Sequence, residues 1–415
     1  MCKHTHDQLP APYIKPNWII SILLQENSNQ MKLQKTIRLL FVYLFVLLRS
    51  ATAQSDSSVT QRQINLAGLQ VLSGPAADQY RGISVGIGAY FSYLNHQGGI
   101  HGRSIEYTSL DTRMEGQTVE QLIKNIVFQH PILAMVGSVG EPILGSYPDW
   151  VPVTGIPDLF GVGRPQEKKA GRIYFSPSLE AEALALGRFC AENLVGKRVL
   201  VWFRDDQKAT SQLEYFDAGS AGLIQIKPMP SRAPLFNLEI ELDQLVALVP
   251  DAIIVLGDTL ETHAFIWQHQ EWDVPIYTGS GIANGELLRQ FDPEVLNRVA
   301  FLSYLPMLQQ NDHPGITLHR RLLNEYAPGQ EMTHWTLVGH AIAETTTELL
   351  HRSGIRLSPF QLATTLQQVG EWHGLLGPPM EFPLATSAVT SFRMTQVFQN
   401  QVQYVSDWIS ANPAN

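Results

Sequence analysis

Cysteine is almost absent from this chain of 415 residues, which contains only Cys2 and Cys190. So few cysteines exclude a disulfide framework and a cysteine-rich metal site. Cys190 lies in the helical pattern LGRFCAENL, where a buried and unreactive thiol is the usual case. The sequence therefore predicts that the fold is stabilised by its hydrophobic core.

Long apolar segments are also missing, apart from one run of ten residues, Leu39–Leu48. A membrane-spanning helix needs about 20 apolar residues, so this run is too short to cross a bilayer. Basic residues precede it between Lys32 and Arg38, and Ala51-Thr52-Ala53 follows it, which is the order found in signal peptides. We expect residues 31–53 to be a signal peptide that is cleaved before Gln54. Residues 1–30 form an upstream extension without a recognisable pattern.

Charged residues make up only 16% of the chain, and acidic residues outnumber basic ones. Without residues 1–53 the chain keeps 23 basic and 36 acidic side chains, which gives a formal net charge of −13. A surface with this charge repels the phosphate backbone of nucleic acids. We therefore expect no nucleic-acid partner.

Several signatures of enzymes are absent as well. Neither an HExxH zinc motif nor a GxxxxGK[ST] phosphate loop occurs. Gly86-Ile87-Gly88 and Gly279-Ser280-Gly281 lack the third glycine of a dinucleotide fingerprint. His263 and His269 are six residues apart, so they do not share a helix face at the spacing of metal ligands. The sequence predicts no catalytic residue, no cofactor and no metal.

What the chain does contain is a regular alternation of short apolar runs and longer segments of helical period, beginning at Ile64. This pattern predicts strand–helix units and a parallel sheet, and the length of the chain favours two such lobes. The predicted strands are Ile64–Leu72, Ser104–Asp111, Ile132–Val136 and Val151–Ile156, and then Arg198–Phe203, Leu223–Lys227, Ala252–Leu256 and Pro275–Tyr277.

Helices and a terminal hairpin are predicted from caps and turns. Gly98-Gly99 suits the end of a helix, because glycine readily takes the backbone conformation of a C-cap. The predicted helices are Ala77–Asn95, Thr333–His351 and Ser358–Val369. Two short strands, Arg393–Phe398 and Gln401–Val405, lie on either side of Gln399-Asn400 and predict a closing hairpin.

The most specific block runs from Ile64 to Thr112 and reads INLAGLQVLSGPAADQYRGISVGIGAYFSYLNHQGGIHGRSIEYTSLDT. It combines a strand, a Ser-Gly-Pro turn, a helix ending in N-x-x-G-G-I-x-G and a strand ending in Asp. In this order of elements the chain resembles the type I periplasmic binding proteins of branched-chain amino-acid transporters, the group that includes Leu/Ile/Val-binding proteins. The resemblance continues through VPVTGIPDLFG and, more faintly, through DAIIVLGD and VPIYTGSG to nearly the end of the chain.

The resemblance implies an α/β fold of two doubly wound parallel-sheet lobes joined by a three-stranded hinge. Carried over to this chain, the three crossings lie near Ile173–Pro177, Phe301–Pro306 and Gly374–Pro379. The first lobe then comprises residues 62–174 with 304–373, and the second comprises residues 177–302 with 377–410. The resemblance also implies a periplasmic location and a monomer.

Ligand-binding residues are expected beyond the carboxyl ends of the strands, where parallel α/β sheets bind their ligands. In the first lobe, the loop that contains Ser138, Val139, Gly140 and Glu141 is small enough for a ligand to approach its backbone. The resemblance implies that this loop holds a carboxylate, while a simple turn is the alternative. Backbone N–H groups of Gly161 and Val162 and the ring of Phe160 are further candidates, against an ordinary connecting loop. Tyr80 is a candidate aromatic lid or an exposed helix residue.

In the second lobe, Asp205, Asp206 and Asp258 follow predicted strands, and so do Ser280 and Gly281. A carboxylate at such a position pairs with a ligand ammonium or caps a helix N-terminus, and both interpretations stay open here. Relatives of the resembled family carry an acidic residue where this chain has Ser280-Gly281. We therefore expect a ligand other than an ordinary branched-chain amino acid.

These observations predict a receptor that closes around a small organic solute, either an amino acid, an amide or a small carboxylate, and delivers it to an ABC permease. A ligand that contacts both lobes favours the closed state and shifts the hinge equilibrium. A ligand-sensing subunit of a membrane sensor and an amide-type regulator on the same fold are the alternatives. A hydrolase is disfavoured, because no acid–base or nucleophile constellation is visible.

Overall fold

A computed structural model describes residues 58–129, 131–140, 154–163, 171–238, 247–368, 370–381, 386–399 and 401–412. The predicted signal peptide and its cleavage site, the upstream extension and Glu141 lie outside these residues. Within them, no helix has the length and apolar character that crossing a membrane requires.

Strands and helices alternate through most of the described chain. The strands are β1 (Gln63–Gln70), β2 (Ser104–Asp111), β3 (Ala134–Val136), β4 (Asp158–Gly161), β5 (Arg172–Tyr174), β6 (Arg198–Arg204), β7 (Gln225–Ser231), β8 (Ala252–Leu256), β9 (Ile276–Thr278), β10 (Val299–Ser303), β11 (Glu371–Trp372), β12 (Met380–Glu381), β13 (Ser391–Phe398), β14 (Gln401–Tyr404) and β15 (Ile409–Ser410). The helices are α1 (Ala77–His96), α2 (Gly116–Gln129), α3 (Leu179–Asn193), α4 (Gln207–Ser220), α5 (Thr259–Gln268), α6 (Gly285–Leu288), α7 (Pro293–Leu296), α8 (Pro314–Tyr326), α9 (His334–Arg352) and α10 (Pro359–Gln368), with a 3-10 turn at Ser280–Ile282.

Two sheets carry most of these strands. The first has the order β2-β1-β3-β4-β5, and all of its pairings are parallel. The second has the order β14-β13-β10-β9-β8-β6-β7, and β15 also pairs with β13. Its strands from β10 to β7 are parallel, whereas β13 and β14 are antiparallel additions that form the predicted hairpin. The predicted α/β fold of two parallel-sheet lobes is confirmed.

Both faces of each sheet are covered by helices, as side-chain alternation along the central strands shows. In β6, Val199 and Val201 pack with α3 and α4, while Leu200 and Trp202 pack against Phe265 of α5. In the first sheet, one face of β1 packs against α1 and α9, and the other face packs against α2. Strands that are buried on both faces are characteristic of parallel sheets.

The opening strand–helix–strand unit follows the predicted boundaries because its turns are specified locally. Asn95 lies in the last turn of α1. Its side-chain nitrogen donates to the Ile105 carbonyl, and its side-chain Oδ1 atom accepts from the Ile105 N–H at 2.7 Å. The following Gly99 has a φ of +67° and passes so close to Arg103 that a Cβ would lie 1.9 Å from its carbonyl oxygen. The glycine and the asparagine of this motif therefore fix the entry into β2.

The fourth strand differs from the prediction. Residues 151–153 lie outside the described residues, and the chain at Gly155 and Ile156 is not a strand. The strand is Asp158–Gly161, which was predicted to be the start of a loop. Phe160 has a φ of +58° within it, and the pairing with β5 shifts register between Leu159 and Gly161. A bulge of this kind interrupts the alternation of a strand, so the sequence pattern did not indicate it.

The chain passes between the two sheets three times, after β5, after β10 and before β13. Tyr174 of the first passage pairs with the third one: its N–H donates to the Thr386 carbonyl at 2.8 Å, and its carbonyl accepts from the Ala388 N–H at 2.7 Å. Leu376 and Met380 pack in the core of the first sheet, whereas Val389 packs in that of the second. The third passage therefore lies near residues 386–389, about ten residues beyond the predicted Gly374–Pro379.

Candidate ligand-binding site

A cleft of about 740 Å³ lies between the two sheets at the carboxyl ends of their strands. Segments that follow β1, β3 and β4 line it from the first lobe, and segments that follow β8 and β9 line it from the second. Ser176 and Tyr304, from the first two passages between the sheets, also line it, as do the starts of α3 and α9. This is the place where open parallel sheets bind their ligands.

Six of the predicted ligand-binding residues line this cleft, namely Tyr80, Gly140, Val162, Asp258, Ser280 and Gly281. The structure brings them together from five separate segments of the chain. Whether they bind a solute remains a prediction, but their common location agrees with the strand-end argument that selected them.

Other predicted residues lie elsewhere in the fold. Ser138, Val139, Phe160 and Gly161 are buried in the first lobe, and Phe160 is fully enclosed in its core. The N-cap of α4 is Asp206, whose side chain accepts from the Ala209 N–H at 2.8 Å. Asp205 pairs with Arg232 on the surface. Local packing and capping explain these residues, so none of them is placed on the cleft.

The first-lobe loop does not present free N–H donors in the way the sequence predicted. The Val139 N–H donates to the Leu69 carbonyl at 2.7 Å, and the Gly140 N–H donates to the Val162 carbonyl at 3.1 Å. The Val162 N–H in turn donates to the Ser138 carbonyl at 2.7 Å. The first of these bonds extends the pairing of β3 with β1, and the other two extend the pairing of β3 with β4, so all three donors are already used within the protein.

Aromatic side chains form the first-lobe wall of the cleft. Tyr80 and Trp335 have ring centroids 5.0 Å apart, and His334 meets Trp335 edge-on at 5.3 Å. Desolvation by burial lowers the pKa of His334 to about 4, so this ring is neutral at pH 7. The sequence predicted Tyr80 but missed Trp335, because the contact joins α1 to α9 across more than 250 residues.

This wall is held in place by an unusually close approach of two helices. A Cβ at Gly86 would lie 2.0 Å from the Thr336 carbonyl oxygen, and a Cβ at Gly339 would lie 2.1 Å from that of Ile83. The backbones of α1 and α9 therefore touch, which is a geometry that only glycine permits. The sequence GISVG at Gly82–Gly86 has the letters of a nucleophile elbow, but it lies inside α1 and serves this packing.

The second-lobe wall is built from helix starts and carries carboxylates. Glu182, in the first turn of α3, is buried and accepts a hydrogen bond from the Ser280 hydroxyl at 2.5 Å. Asp258 is the N-cap of α5 in a reciprocal capping box with Glu261. Asp258 therefore caps a helix, as one of its two predicted roles required, and it also lines the cleft. Glu182 was missed because its partner lies 98 residues away, although its place four residues after the N-cap Ser178 marks it as a first-turn residue.

The profile of the family described as periplasmic binding protein matches residues 63–401. The chain belongs to this family. Periplasmic binding proteins of this kind bind solutes and are not enzymes, in agreement with the prediction from sequence. A comparison with curated sequences found no significant match.

Several solved structures share the fold of this chain. An extracellular ligand-binding receptor from Verminephrobacter eiseniae has a TM-score of 0.65 at 20% identity, over 82% of this chain and 100% of the receptor. A branched-chain amino-acid ABC transporter protein from Thermus thermophilus with bound valine has a TM-score of 0.65 at 12% identity, over 85% and 97%. A fatty acid ABC transporter substrate-binding protein from Thermomonospora curvata has a TM-score of 0.66 at 14% identity, over 86% and 95%. These similarities show the fold that the chain shares with them.

Proposed function

We propose that the protein is the periplasmic solute receptor of an ABC transporter. It binds a small organic solute in the cleft between its lobes, closes, and presents the closed form to a membrane permease. The observation that carries this proposal is the cleft itself, which is lined by both lobes and by two of the segments that connect them. Membership of the periplasmic binding protein family supports the same conclusion.

Closure follows from the distribution of the lining residues. Tyr80, Gly140 and Val162 belong to the first lobe, and Asp258, Ser280 and Gly281 belong to the second. A solute that contacts both groups gains contacts only when the lobes approach, so it binds the closed state more tightly and shifts the population towards it. The chemical step of transport, ATP hydrolysis, belongs to another subunit in this proposal.

A thermal-shift screen tests the receptor function directly. Purified protein that begins at Gln54 is heated with amino acids, amides, carboxylates and organic amines. Each compound is added at about 1 mM, which exceeds the expected Kd at least tenfold. A bound solute raises the Tm by mass action, because it binds the folded state alone. At least one compound should raise the Tm, and isothermal calorimetry should give a stoichiometry of one per chain. A protein that no class of small solute stabilises would contradict the proposal.

Export is part of the same proposal. The charged start, short apolar core and small-residue site of residues 31–53 predict cleavage after Ala53. Mass spectrometry of protein recovered from the periplasm should give a chain that begins at Gln54. Recovery of a chain that keeps Met31 would show that the segment is not a cleaved signal peptide.

A further inference from the structure

We infer that Arg393 is the centre of a second binding site, which takes a small oxyanion of the phosphate or carboxylate type. The site lies on the second lobe, beside the second passage between the sheets. Arg393 of β13 pairs with Ser303, the last residue of β10 before that passage. None of the residues that form the site is among the described residues that line the cleft. The inference is therefore independent of the solute that the cleft binds.

The guanidinium of Arg393 is a charged group whose donors are unused. Its Nε atom is buried and has no hydrogen-bond partner among the described residues. Arg393 also forms no ion pair within the described chain, although Asp312 and Asp407 are exposed near the same cluster. The side chain as a whole is only partly buried, so an anion can reach it from solution. An enclosed donor without a partner costs free energy, and an acceptor that reaches this group offsets that cost.

Two aromatic rings hold this guanidinium in one place. The Cζ atom of Arg393 lies 4.7 Å from the ring centroid of Tyr404 and 4.4 Å from that of Trp408. A ring face attracts the cation but does not accept its N–H groups as a carboxylate does. The Tyr404 hydroxyl donates to the Gln310 Oε1 atom at 3.0 Å, which fixes this ring in turn. The cation is thus positioned before an anion arrives, and this lowers the entropy that binding costs.

A second donor lies next to this cluster, at the start of α8. The backbone carbonyl of Gln310 accepts from the His313 N–H at 3.0 Å, so the residue that anchors Tyr404 also positions His313. The His313 Nδ1 atom caps α8 by accepting from the Gly315 N–H at 3.2 Å, which leaves the proton of the neutral ring on Nε2. Desolvation and then the charge of Arg393 lower the pKa of His313, in agreement with a neutral ring in the field of the guanidinium.

This set of donors suits an oxyanion. The planar guanidinium matches the paired oxygen atoms of a carboxylate or a phosphate, which accept two parallel N–H bonds. His313 adds an N–H donor from another segment, and the start of α8 adds the positive partial charge of a helix N-terminus. Arg393 belongs to the second sheet, whereas Ile316 of α8 packs in the core of the first. An oxyanion that contacts both Arg393 and His313 therefore links the two lobes beside the second passage.

Calorimetry with phosphate tests the site, at pH 7 and at an ionic strength held constant with sodium chloride. We expect phosphate to bind with a stoichiometry of one per chain. Arg393→Met keeps the length of the side chain and removes its charge, so it should weaken phosphate binding about tenfold or more. Arg356→Met is the matched control and should leave the Kd nearly unchanged, because Arg356 is exposed and has no ion pair or ring contact among the described residues.

Two milder variants separate the site from the folding of β13. Arg393→Lys keeps the positive charge but loses the planar pair of donors, and His313→Asn keeps a helix cap but loses the Nε2 donor. Both should bind phosphate more weakly than the parent protein while their circular dichroism stays the same. The inference is overturned if the parent protein binds no phosphate, or if the folded Arg393 variants bind it as tightly as the parent does. Neither result bears on the receptor function of the cleft.

Discussion

At the residue scale, a pair of buried histidines stands out. His319 of α8 and His340 of α9 are almost fully buried, and their Nδ1 atoms lie 3.0 Å apart. The His319 Nε2 atom lies 2.9 Å from the Thr336 hydroxyl, and the ring of Tyr90 packs on His340 at 4.7 Å. One imidazole must donate and the other accept, so the two rings cannot both be protonated, and their burial favours the neutral form of each. Through Thr336, this pair contacts the first turn of α9, which also contains His334 and Trp335.

The pair predicts a loss of stability in mild acid. Desolvation lowers the pKa of His319 to about 4 and that of His340 well below its usual value, with the neighbouring His319 as a second cause. In the unfolded chain both titrate near 6.5, so between pH 6.5 and 4 the unfolded state binds more protons and the free energy of unfolding falls as the pH falls. Urea unfolding from pH 7 to 5 should show this slope.

Replacing one histidine should reduce the slope. His319→Gln reduces by one the number of protons that the unfolded state binds in excess of the folded state. The slope of the unfolding free energy against pH should therefore decrease by up to about 1.4 kcal/mol per pH unit. The exposed His373→Gln variant is the control and should leave the slope unchanged. A parent protein whose stability is the same at pH 7 and pH 5 would contradict the assignment of neutral, buried rings.

At the element scale, an ion pair joins β4 to β5, the neighbouring strands at one side of the first sheet. The Arg172 Nε atom of β5 donates to the Asp158 carboxylate of β4 at 2.8 Å, and both side chains are 1% exposed. Asp158 and Arg172 are also partners in the strand pairing, two residues before Phe160, where the register of the two strands changes. The ion pair therefore fixes the strands from which Val162 and Ser176 continue into the cleft.

Breaking this pair should cost far more than breaking one on the surface. Arg172→Met leaves the Asp158 carboxylate buried without its guanidinium, and the expected loss is about 3–5 kcal/mol. The double variant Asp158→Leu/Arg172→Met removes both charges and should recover much of that loss. As a control, Lys124→Ala breaks the exposed pair with Glu120 and should cost less than about 1 kcal/mol. Denaturant midpoints would compare them, and an equal cost for the two pairs would count against the argument.

The sequence predicted the elements whose signals are local and missed those that depend on distant contacts. Asn95 and Gly99 end α1 through contacts within ten residues, so the opening unit was predicted with nearly the observed bounds. Phe160 sits in a bulge whose cause is the pairing with β5, and no local pattern reveals it. Among acidic residues that follow strands, only the folded structure separates Asp258, on the cleft, from Asp206, which caps a helix away from it.

At the scale of the whole molecule, the receptor proposal predicts a change of shape. If a solute contacts the residues of both lobes that line the cleft, the lobes approach and the radius of gyration falls. Small-angle X-ray scattering with and without saturating solute measures this change. A compound that gives no calorimetric signal, added at the same concentration, is the control, because the lobes should then remain open. An unchanged radius in the parent protein at a concentration that saturates the calorimetric signal would show that binding occurs without closure.

The backbone pairing of Tyr174 with residues 386–388 has a mechanical consequence. Two of the three passages between the sheets are bonded to each other, and the Ser387 hydroxyl donates to the Ser176 carbonyl at 2.8 Å. Bonded strands bend together, so relative motion of the lobes is reduced to rotation about essentially one axis. Every solute, whatever its size, then meets the same trajectory of approach. A compound that fits only one wall of the cleft gains no further contacts, because the other wall cannot shift sideways to meet it. The restricted motion of the hinge therefore contributes to selectivity, together with the residues that line the cleft.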